Sequence, residues 1–164
     1  TLMTNLALEH AFNTANIPFA RAKVGDRYVL EMLVENGWQL GGENSGHILC
    51  LDKHTSGDGI IAALQVLAAL KAQKQTLSTV GKALTLYPQV LINVPVKQRI
   101  DMNANPAIQA SVKAAEQALN GTGRILLRAS GTELKLRVMV EGQNGELVAK
   151  LAKQIADVVA EQAR

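Results

Sequence analysis

Apolar residues recur at helical spacing in three segments of the first half of the chain. The pattern predicts a helix that begins near the first residue and stops before Pro18, a second that Gly25 and Asp26 cap and that ends at Gly37, and a third over residues 60–73. The third helix is apolar over a broad face, so we expect it to pack against a sheet.

Short apolar runs lie between these helices. Residues 17–23 predict a short strand, and two runs at 38–40 and 48–51 predict a hairpin with a polar tip. A short amphipathic helix is expected over residues 76–83. Because helices and strands alternate, the first half favours a layered α/β domain.

The pattern changes around Tyr87 and Pro88, where we place a boundary between a first domain of residues 1–87 and a second domain of residues 88–164. The second half predicts, in order, a strand at 90–96, a helix around 108–119, strands at 124–128 and 134–140, and a final helix from about residue 146. This order favours a small α+β domain with an antiparallel hairpin.

Composition narrows the class of protein. The 164 residues are 48% hydrophobic, which is ample for a packed core, and they carry a formal charge of +3 with a pI near 9.1. The 17 Lys and Arg are scattered among 14 acidic residues, and aromatic residues make up only 3% of the chain. The positive balance therefore favours small anionic ligands weakly and argues against a nucleic-acid partner.

One cysteine, Cys50, lies in an apolar run, where a buried thiol in a reducing compartment is a better interpretation than a catalytic thiol. No signal peptide or membrane span is predicted, because the longest apolar stretch, residues 60–70, is too short. Cytoplasmic localisation with no membrane partner is the default prediction. The helical pattern follows closely after Thr1, so we expect a piece of a longer protein.

The polar tip of the predicted hairpin spans residues 41–47 and reads Gly-Gly-Glu-Asn-Ser-Gly-His. Its glycines allow a tight turn close to a bound molecule, while Glu43, Asn44 and Ser45 offer groups that suit the hydroxyls of a sugar. One carboxylate and one histidine, His47, are too few ligands for a closed metal site. The alternative is that the glycines only form the turn and the polar residues face water.

A second polar loop, residues 128–133, lies in the predicted hairpin of the second half and reads Arg-Ala-Ser-Gly-Thr-Glu. Small residues around Gly131 let successive backbone N–H groups converge, and the neighbouring hydroxyls add donors, so the loop suits an anion. Arg128 at its start can bind a phosphate through two nitrogens, and Arg137 on the returning strand is a second candidate. The alternative is an ordinary hairpin loop with solvated arginines.

Two other acidic turns resemble fragments of metal loops. Each carries a single carboxylate at a predicted helix start, where capping is the better interpretation. They are Gly25-Asp26-Arg27 and Ser56-Gly57-Asp58-Gly59. No metal site is therefore predicted in this chain, and His10 and His54 are interpreted as structural or surface residues.

Taken together, the two polar loops resemble the C-terminal half of the α-D-phosphohexomutase superfamily. The resemblance extends over essentially the whole chain and is carried by residues 1–5, 23–29, 42–47, 57–60, 124–133 and 137–142. It implies most of an α/β third domain, followed by a complete, small α+β fourth domain with a TATA-binding-protein-like fold. Within the superfamily, the chain is similar to the bacterial enzymes that act on glucosamine phosphates.

The resemblance also implies roles for individual residues. In the first domain it implies sugar-hydroxyl binding by Glu43 and Ser45, a place for His47 near the reacting phosphoryl group, and an active-site loop that includes Asp26 and Arg27. In the second domain it implies that the phosphate that is not reacting is held by Arg128, Ser130, Gly131 and Thr132, with assistance from Arg137.

The whole enzyme that this resemblance implies interconverts glucosamine 6-phosphate and glucosamine 1-phosphate through a bisphosphate intermediate, with a phosphoserine and Mg²⁺. It would be a cytoplasmic isomerase of amino-sugar metabolism that supplies cell-wall precursors. The phosphoserine loop and the acidic Mg²⁺ loop are absent from this sequence, so we expect the chain alone to bind no metal and to be inactive without the missing N-terminal domains.

One position departs from the superfamily pattern. Proline usually follows Ser-Gly-Thr-Glu in these enzymes, whereas Leu134 stands here. The loss of a conformationally restricted residue is expected to loosen the phosphate loop.

Two alternatives stay open on the sequence. A mutase for mannose or glucose phosphates fits as well, because the amino group of the sugar has no dedicated partner among these residues. A non-catalytic module that binds sugar phosphates or other anions is the second alternative, and nucleic-acid binding rests on the pI alone.

Overall fold

A computed structural model of the chain describes residues 1–98, 100–130 and 133–163. The chain divides into two units, Thr1–Thr85 and Leu86–Arg164, and each unit has its own cluster of buried apolar side chains. None of the helices in the described ranges is long and apolar enough to cross a membrane.

The elements of the first unit are α1 (Leu6–Thr14), α2 (Asp26–Asn36), β1 (Leu40–Gly42), β2 (Ile48–Cys50), α3 (Gly59–Gln73) and α4 (Leu77–Gly81). Polar side chains cap the starts of α1, α3 and α4, whereas α2 begins after Gly25 with no side-chain cap from the predicted Asp26. The Asn5 carboxamide accepts a hydrogen bond from Ala7 N, and the Asp58 carboxylate accepts from Ile60 N and Ile61 N. Because Asn5 caps α1, that helix begins later than the apolar pattern predicts.

The hairpin of the first unit packs on α2. β1 and β2 are antiparallel, with Gly41 opposite Leu49. A Cβ atom on Gly41 would lie 2.6 Å from a methyl carbon of Val29, so a larger residue does not fit there. Val29 and Leu49 are buried together with Ala22 and Leu33. This packing fixes the hairpin, and with it the polar tip, against α2.

The predicted strand at residues 17–23 is wrong, since this stretch belongs to neither sheet. Pro18 has no N–H to donate. The stretch makes backbone hydrogen bonds at its two ends, from Ile17 N to Phe12 O and from Leu2 N to Ala22 O, rather than a strand ladder. A strand pattern without a partner strand does not produce a sheet.

The expected packing of α3 against a sheet is observed only in part, because α3 contacts β2 while most of its broad apolar face is uncovered. α3 buries Ala62, whereas Ile60, Leu64 and Leu67 are exposed. The two short strands of the hairpin cannot cover a helix of 15 residues. The helix therefore presents apolar side chains that the described residues of this unit leave uncovered.

The second unit has the order of elements that the sequence predicts. They are β3 (Gln89–Pro95), α5 (Pro106–Leu119), β4 (Gly123–Ala129), β5 (Lys135–Gly142) and α6 (Gly145–Gln162). The strands form an antiparallel sheet in the order β3-β5-β4. α5 and α6 pack on one face of the sheet, where Leu136, Val138 and Val140 of β5 are buried.

Alternate residues of β5 point away from these helices. Two cross-strand rows of polar residues result on that face. The ion-pair row consists of Gln89, Glu141 and Arg124, and the arginine row consists of Asn93, Arg137 and Arg128. Met139 lies between the two rows and is buried.

Candidate functional site

The hairpin tip of the first unit is closed by its own backbone. Glu43 N donates to His47 O at 2.9 Å, and Gly46 N donates to Glu43 O at 3.1 Å. Gly46 has a φ of 98°, a region that side chains strongly disfavour, so glycine is needed at this turn. The turn therefore holds the side chains of residues 43–47 in a defined arrangement.

Glu43 is the buried anchor of this tip, with 8% of its side chain exposed. One carboxylate oxygen, Oε1, accepts a hydrogen bond of 2.7 Å from Gly25 N. The other, Oε2, lies 3.5 Å from His47 Nδ1 and 3.5 Å from Ser45 Oγ. Glu43 thus connects the turn before α2 to the hairpin, while its second oxygen faces the other polar groups of the tip.

Ser45 and His47 complete a cluster with Glu43. Ser45 Oγ lies 3.0 Å from His47 Nδ1, and 49% of the His47 side chain is exposed. Asn44 is held separately, because its side-chain amide donates to Met3 O at 3.0 Å. The cluster offers a carboxylate oxygen, a hydroxyl and an imidazole, a set of donors and acceptors that suits sugar hydroxyls.

The predicted loop residues Asp26 and Arg27 lie at the first turn of α2, next to the Gly25 N–H that Glu43 binds. The Arg27 side chain is 81% exposed and donates from Nε to Glu31 Oε1 at 2.9 Å. This hydrogen bond and the charge of Glu31 raise the pKa of Arg27 above its ordinary value. Arg27 therefore remains a cation on the surface beside the hairpin tip.

The second polar loop is described at its two ends. Ser130 is buried, its N–H donates to Lys135 O at 2.9 Å, and its Oγ accepts from Glu133 N at 3.3 Å. Glu133 pairs with Lys135 at 2.8 Å, and the hydrogen bond from this ammonium lowers the pKa of the Glu133 carboxyl. The predicted phosphate ligands Gly131 and Thr132 lie outside the described residues.

Two arginines face each other across the sheet next to this loop. Arg128 of β4 is directly opposite Arg137 of β5, a separation at which like charges repel. Arg137 Nε is buried and has no hydrogen-bond partner within residues 1–98, 100–130 and 133–163. In the ion-pair row of the same sheet, by contrast, Arg124 is paired with the fully buried carboxylate of Glu141. The arginine row therefore has the charge and the unused donor that an anion would complement.

The sequence pattern misses three features of these sites. Asn93 shares the arginine row, and its alternation with buried Val94 on β3 is a signal that could place it there. The hydrogen bond from Gly25 N to Glu43 joins residues 18 apart and leaves no local pattern. Gly57 lies against the ring of His47, and nothing in the sequence indicates that contact.

A divalent metal does not fit the described part of the chain. No group of three or more His, Cys, Asp or Glu side chains that would hold a metal ion occurs among these residues. Magnesium prefers several oxygen ligands in octahedral geometry, and the hairpin tip offers a single carboxylate, one oxygen of which is already bonded.

Comparison with protein families identifies both units. Residues 1–87 match the phosphoglucomutase/phosphomannomutase alpha/beta/alpha domain III, and residues 91–158 match the phosphoglucomutase/phosphomannomutase C-terminal domain. The chain belongs to this family. The resemblance to phosphohexomutases that the two loops indicated is thereby confirmed.

Bacterial members of the family are highly similar to the chain. A phosphoglucosamine mutase of Methylobacillus flagellatus is 70% identical over 163 residues, or 99% of this chain, and a phosphoglucosamine mutase of Thiobacillus denitrificans is 59% identical over 159 residues, or 97%. The matched regions are 36% and 35% of those proteins. The chain thus spans about a third of the length of these relatives.

Solved structures of this family share the fold. N-acetylphosphoglucosamine mutase of Aspergillus fumigatus has a TM-score of 0.82 at 20% identity, covering 98% of this chain and 37% of that one. The same fungal enzyme in complex with GlcNAc-6P and magnesium has a TM-score of 0.77 at 19% identity, covering 98% and 38%. The predicted fold class, an α/β domain followed by a small α+β domain, is confirmed.

Proposed function

We propose that this chain supplies the sugar-binding and distal-phosphate-binding parts of a phosphoglucosamine mutase, an isomerase that interconverts glucosamine 6-phosphate and glucosamine 1-phosphate through a bisphosphate intermediate. The observation that carries the phosphate-binding part is the buried Arg137 Nε without a partner among the described residues, directly across the sheet from Arg128. The choice of substrate rests on the 70% identity to a phosphoglucosamine mutase.

The proposed phosphate-binding site consists of Arg128 and Arg137, with Ser130 at the base of the loop. A phosphate placed between the two guanidinium groups removes their repulsion and accepts from the unused Nε. Glu133 is paired with Lys135, although the charge of Arg137 also helps to lower the pKa of its carboxyl. Gly131 and Thr132 are proposed to add loop donors.

The sugar site of this proposal is the hairpin tip. Glu43 Oε2 and Ser45 Oγ bind sugar hydroxyls, and Asn44, tied to Met3 O, lines the edge of the tip. His47 adjoins the reacting phosphoryl group. Asp26 and Arg27 form the neighbouring loop, which the bond from Gly25 N to Glu43 holds against the tip.

Separate binding sites for the sugar hydroxyls and for the phosphate that is not reacting suit the chemistry of a mutase. The enzyme must hold one sugar in two opposite orientations, so the phosphate that is not reacting needs a site away from the reacting one. A hydroxyl-binding loop that both donates and accepts can serve both orientations. Each of these binding sites lies on its own unit of this chain.

The remainder of the protein is proposed to provide the phosphoserine and the ligands for Mg²⁺, which neutralises charge on the transferring phosphoryl group when bound. Apolar surface in the first unit supports docking of that remainder. A cavity of about 600 Å³ there is lined by side chains such as Phe12, Phe19 and Trp38, and the apolar side chains of α3 are exposed nearby. Because the phosphoserine and the Mg²⁺ ligands are proposed to lie in that remainder, the chain alone is expected to be inactive. We also propose that the whole mutase is cytoplasmic and acts in amino-sugar metabolism that supplies cell-wall precursors.

A mutase for mannose or glucose phosphates is the second candidate, since the matching family descriptions include both activities. The test is to assay the whole protein on glucosamine, glucose and mannose phosphates under one condition. Preference for the glucosamine phosphates, and loss of turnover when Arg137 is changed to Met, are the expected results. A clear preference for mannose or glucose phosphates would contradict the substrate assignment.

A further inference from the structure

The space beside His47 is set by a glycine in another loop. Gly57 lies between β2 and α3, and a Cβ atom built on it would be 3.0 Å from His47 Cβ, 3.2 Å from Cδ2 and 3.3 Å from Cγ. These separations are tighter than ordinary van der Waals contacts, so any side chain at position 57 would push the ring aside by a few tenths of an ångström.

Backbone conformation does not explain this glycine. The φ angle of Gly57 lies outside the left-handed region, unlike those of Gly25 and Gly46. A left-handed φ is therefore not the reason for glycine at this position. The close approach of His47 is therefore what a side chain at position 57 would disturb.

The opposite side of the imidazole is held by polar groups. Ser45 Oγ lies 3.0 Å and Glu43 Oε2 lies 3.5 Å from Nδ1. The ring thus has one hydrogen-bonding neighbour, Ser45, and one nearby carboxylate, Glu43, on its own loop, and Gly57 of another loop lies close to it. A ring displaced from Gly57 would move relative to both of these neighbours.

We propose that Gly57 is a positioning residue for His47, and that it acts by leaving the space in which the imidazole lies. The consequence for turnover rests on the proposed function, in which His47 adjoins the reacting phosphoryl group. The geometric part of the proposal concerns this chain alone and does not depend on that function.

A nearby glycine provides a matched control. Gly59 is two residues further on, at the start of α3, and a Cβ atom there would meet nothing within 4 Å. Gly57→Ala and Gly59→Ala therefore make the same chemical change on either side of the Asp58 cap. Only the first places a methyl group against His47.

The first test is NMR of the 164-residue chain. The wild type should show a nuclear Overhauser contact between the Gly57 α-protons and the His47 ring, a readout that needs no variant to fold. Gly57→Ala should shift the ring proton and ring nitrogen resonances of His47, whereas Gly59→Ala should leave them in place. Absence of the contact in the wild type, or equal ring shifts in both variants, would overturn the proposal.

The second test is turnover of the whole mutase. Gly57→Ala should lower kcat by about tenfold with little change in KM, because small displacements of a reacting group cost rate rather than binding. Gly59→Ala should keep the wild-type kcat. In a His47→Ala background, the further Gly57→Ala change should lower kcat only slightly more, as expected for two residues that act as one unit.

The two tests fail separately. Shifted His47 resonances with unchanged turnover would overturn only the part of the proposal that links Gly57 to the reaction. Wild-type turnover in His47→Ala would separately overturn the role of His47 in the proposed function. Reduced kcat with unshifted His47 resonances would overturn the positioning of His47 by Gly57 and leave the proposed function standing.

Discussion

Each of the two polar rows on the sheet contains a partly buried arginine, and the rows differ in how the charge of that arginine is balanced. In the ion-pair row, Arg124 is 18% exposed and is paired with Glu141, whose carboxylate is fully buried. In the arginine row, Arg137 faces Arg128 and Asn93, and no described carboxylate pairs with its buried Nε. The chain neutralises one row internally and leaves Arg137 Nε of the other without a described partner. We therefore expect the first row to contribute to stability and propose that the second binds an anion.

The largest expected effect comes from breaking the internally neutralised row. Glu141→Ala removes the buried partner of Arg124, and an uncompensated buried charge should lower the free energy of unfolding by about 3 kcal/mol. Chemical denaturation of the second unit measures this change. Binding of inorganic phosphate by the fraction that remains folded should be unchanged, and a parallel loss of phosphate affinity would contradict the separation of the two rows.

A change in the arginine row should lower phosphate affinity without lowering the free energy of unfolding. Arg137→Met keeps an unbranched side chain but removes the charge, so phosphate affinity should fall roughly 10- to 100-fold, the effect of losing hydrogen bonds to a charged group. The free energy of unfolding should stay level or rise by about 1 kcal/mol, because an unsatisfied buried N–H disappears.

Isothermal titration with phosphate and thermal unfolding measure the two effects of Arg137→Met. Lys153→Ala on α6, where the lysine pairs with Asp157 on the surface, controls for the loss of one positive charge. Equal loss of phosphate affinity in both variants would mean that net charge, and not the arginine row, binds the anion.

A third change would introduce an ion pair into the arginine row. Asn93→Asp places a carboxylate directly opposite Arg137, so the chain should gain about 0.5 kcal/mol of stability from the cross-strand pair. Phosphate affinity should fall several-fold, since the new carboxylate repels the anion. Gln89→Ala, on the same face of β3, should change neither quantity by as much, and a rise in phosphate affinity for Asn93→Asp would refute the assignment.

The smallest effect concerns the loop beside the arginine row. Leu134 is exposed, and its carbonyl accepts from Val96 N, which a proline can also do. Leu134→Pro restores the residue usual in the superfamily and should raise the free energy of unfolding by about 0.5 kcal/mol by restricting the unfolded chain. Phosphate affinity should rise slightly, and a loss of stability would show that the native backbone at this position does not suit proline.

Local patterns predict the elements of both units well because the signals are themselves local. Asp58 caps α3 and Gly37 ends α2 in a left-handed conformation, as their residue types suggest. The strand predicted at residues 17–23 fails because a strand needs a partner, which lies outside any local window.

The sequence predicts which residue types form the candidate sites, but it predicts less well how those residues are arranged in space. Glu43, Ser45 and His47 are close in sequence, and the structure brings them together. The pairing of Arg128 with Arg137 depends on the length of the loop between them, which sets the register of β4 and β5. Contacts such as Gly25 N to Glu43 depend on packing between distant segments and have no sequence signature.

The most direct test of the central claim, that the hairpin tip and the arginine row bind one sugar phosphate, is an amide-shift titration of this chain with glucosamine 1,6-bisphosphate, with inorganic phosphate as the control. We predict that the bisphosphate moves the resonances of residues 42–47 together with those of Arg128, Ser130 and Arg137, with one shared affinity. Inorganic phosphate should move only the second group. If the bisphosphate at saturation moves only the second group and phosphate does the same, the chain binds an anion alone and the claim is contradicted.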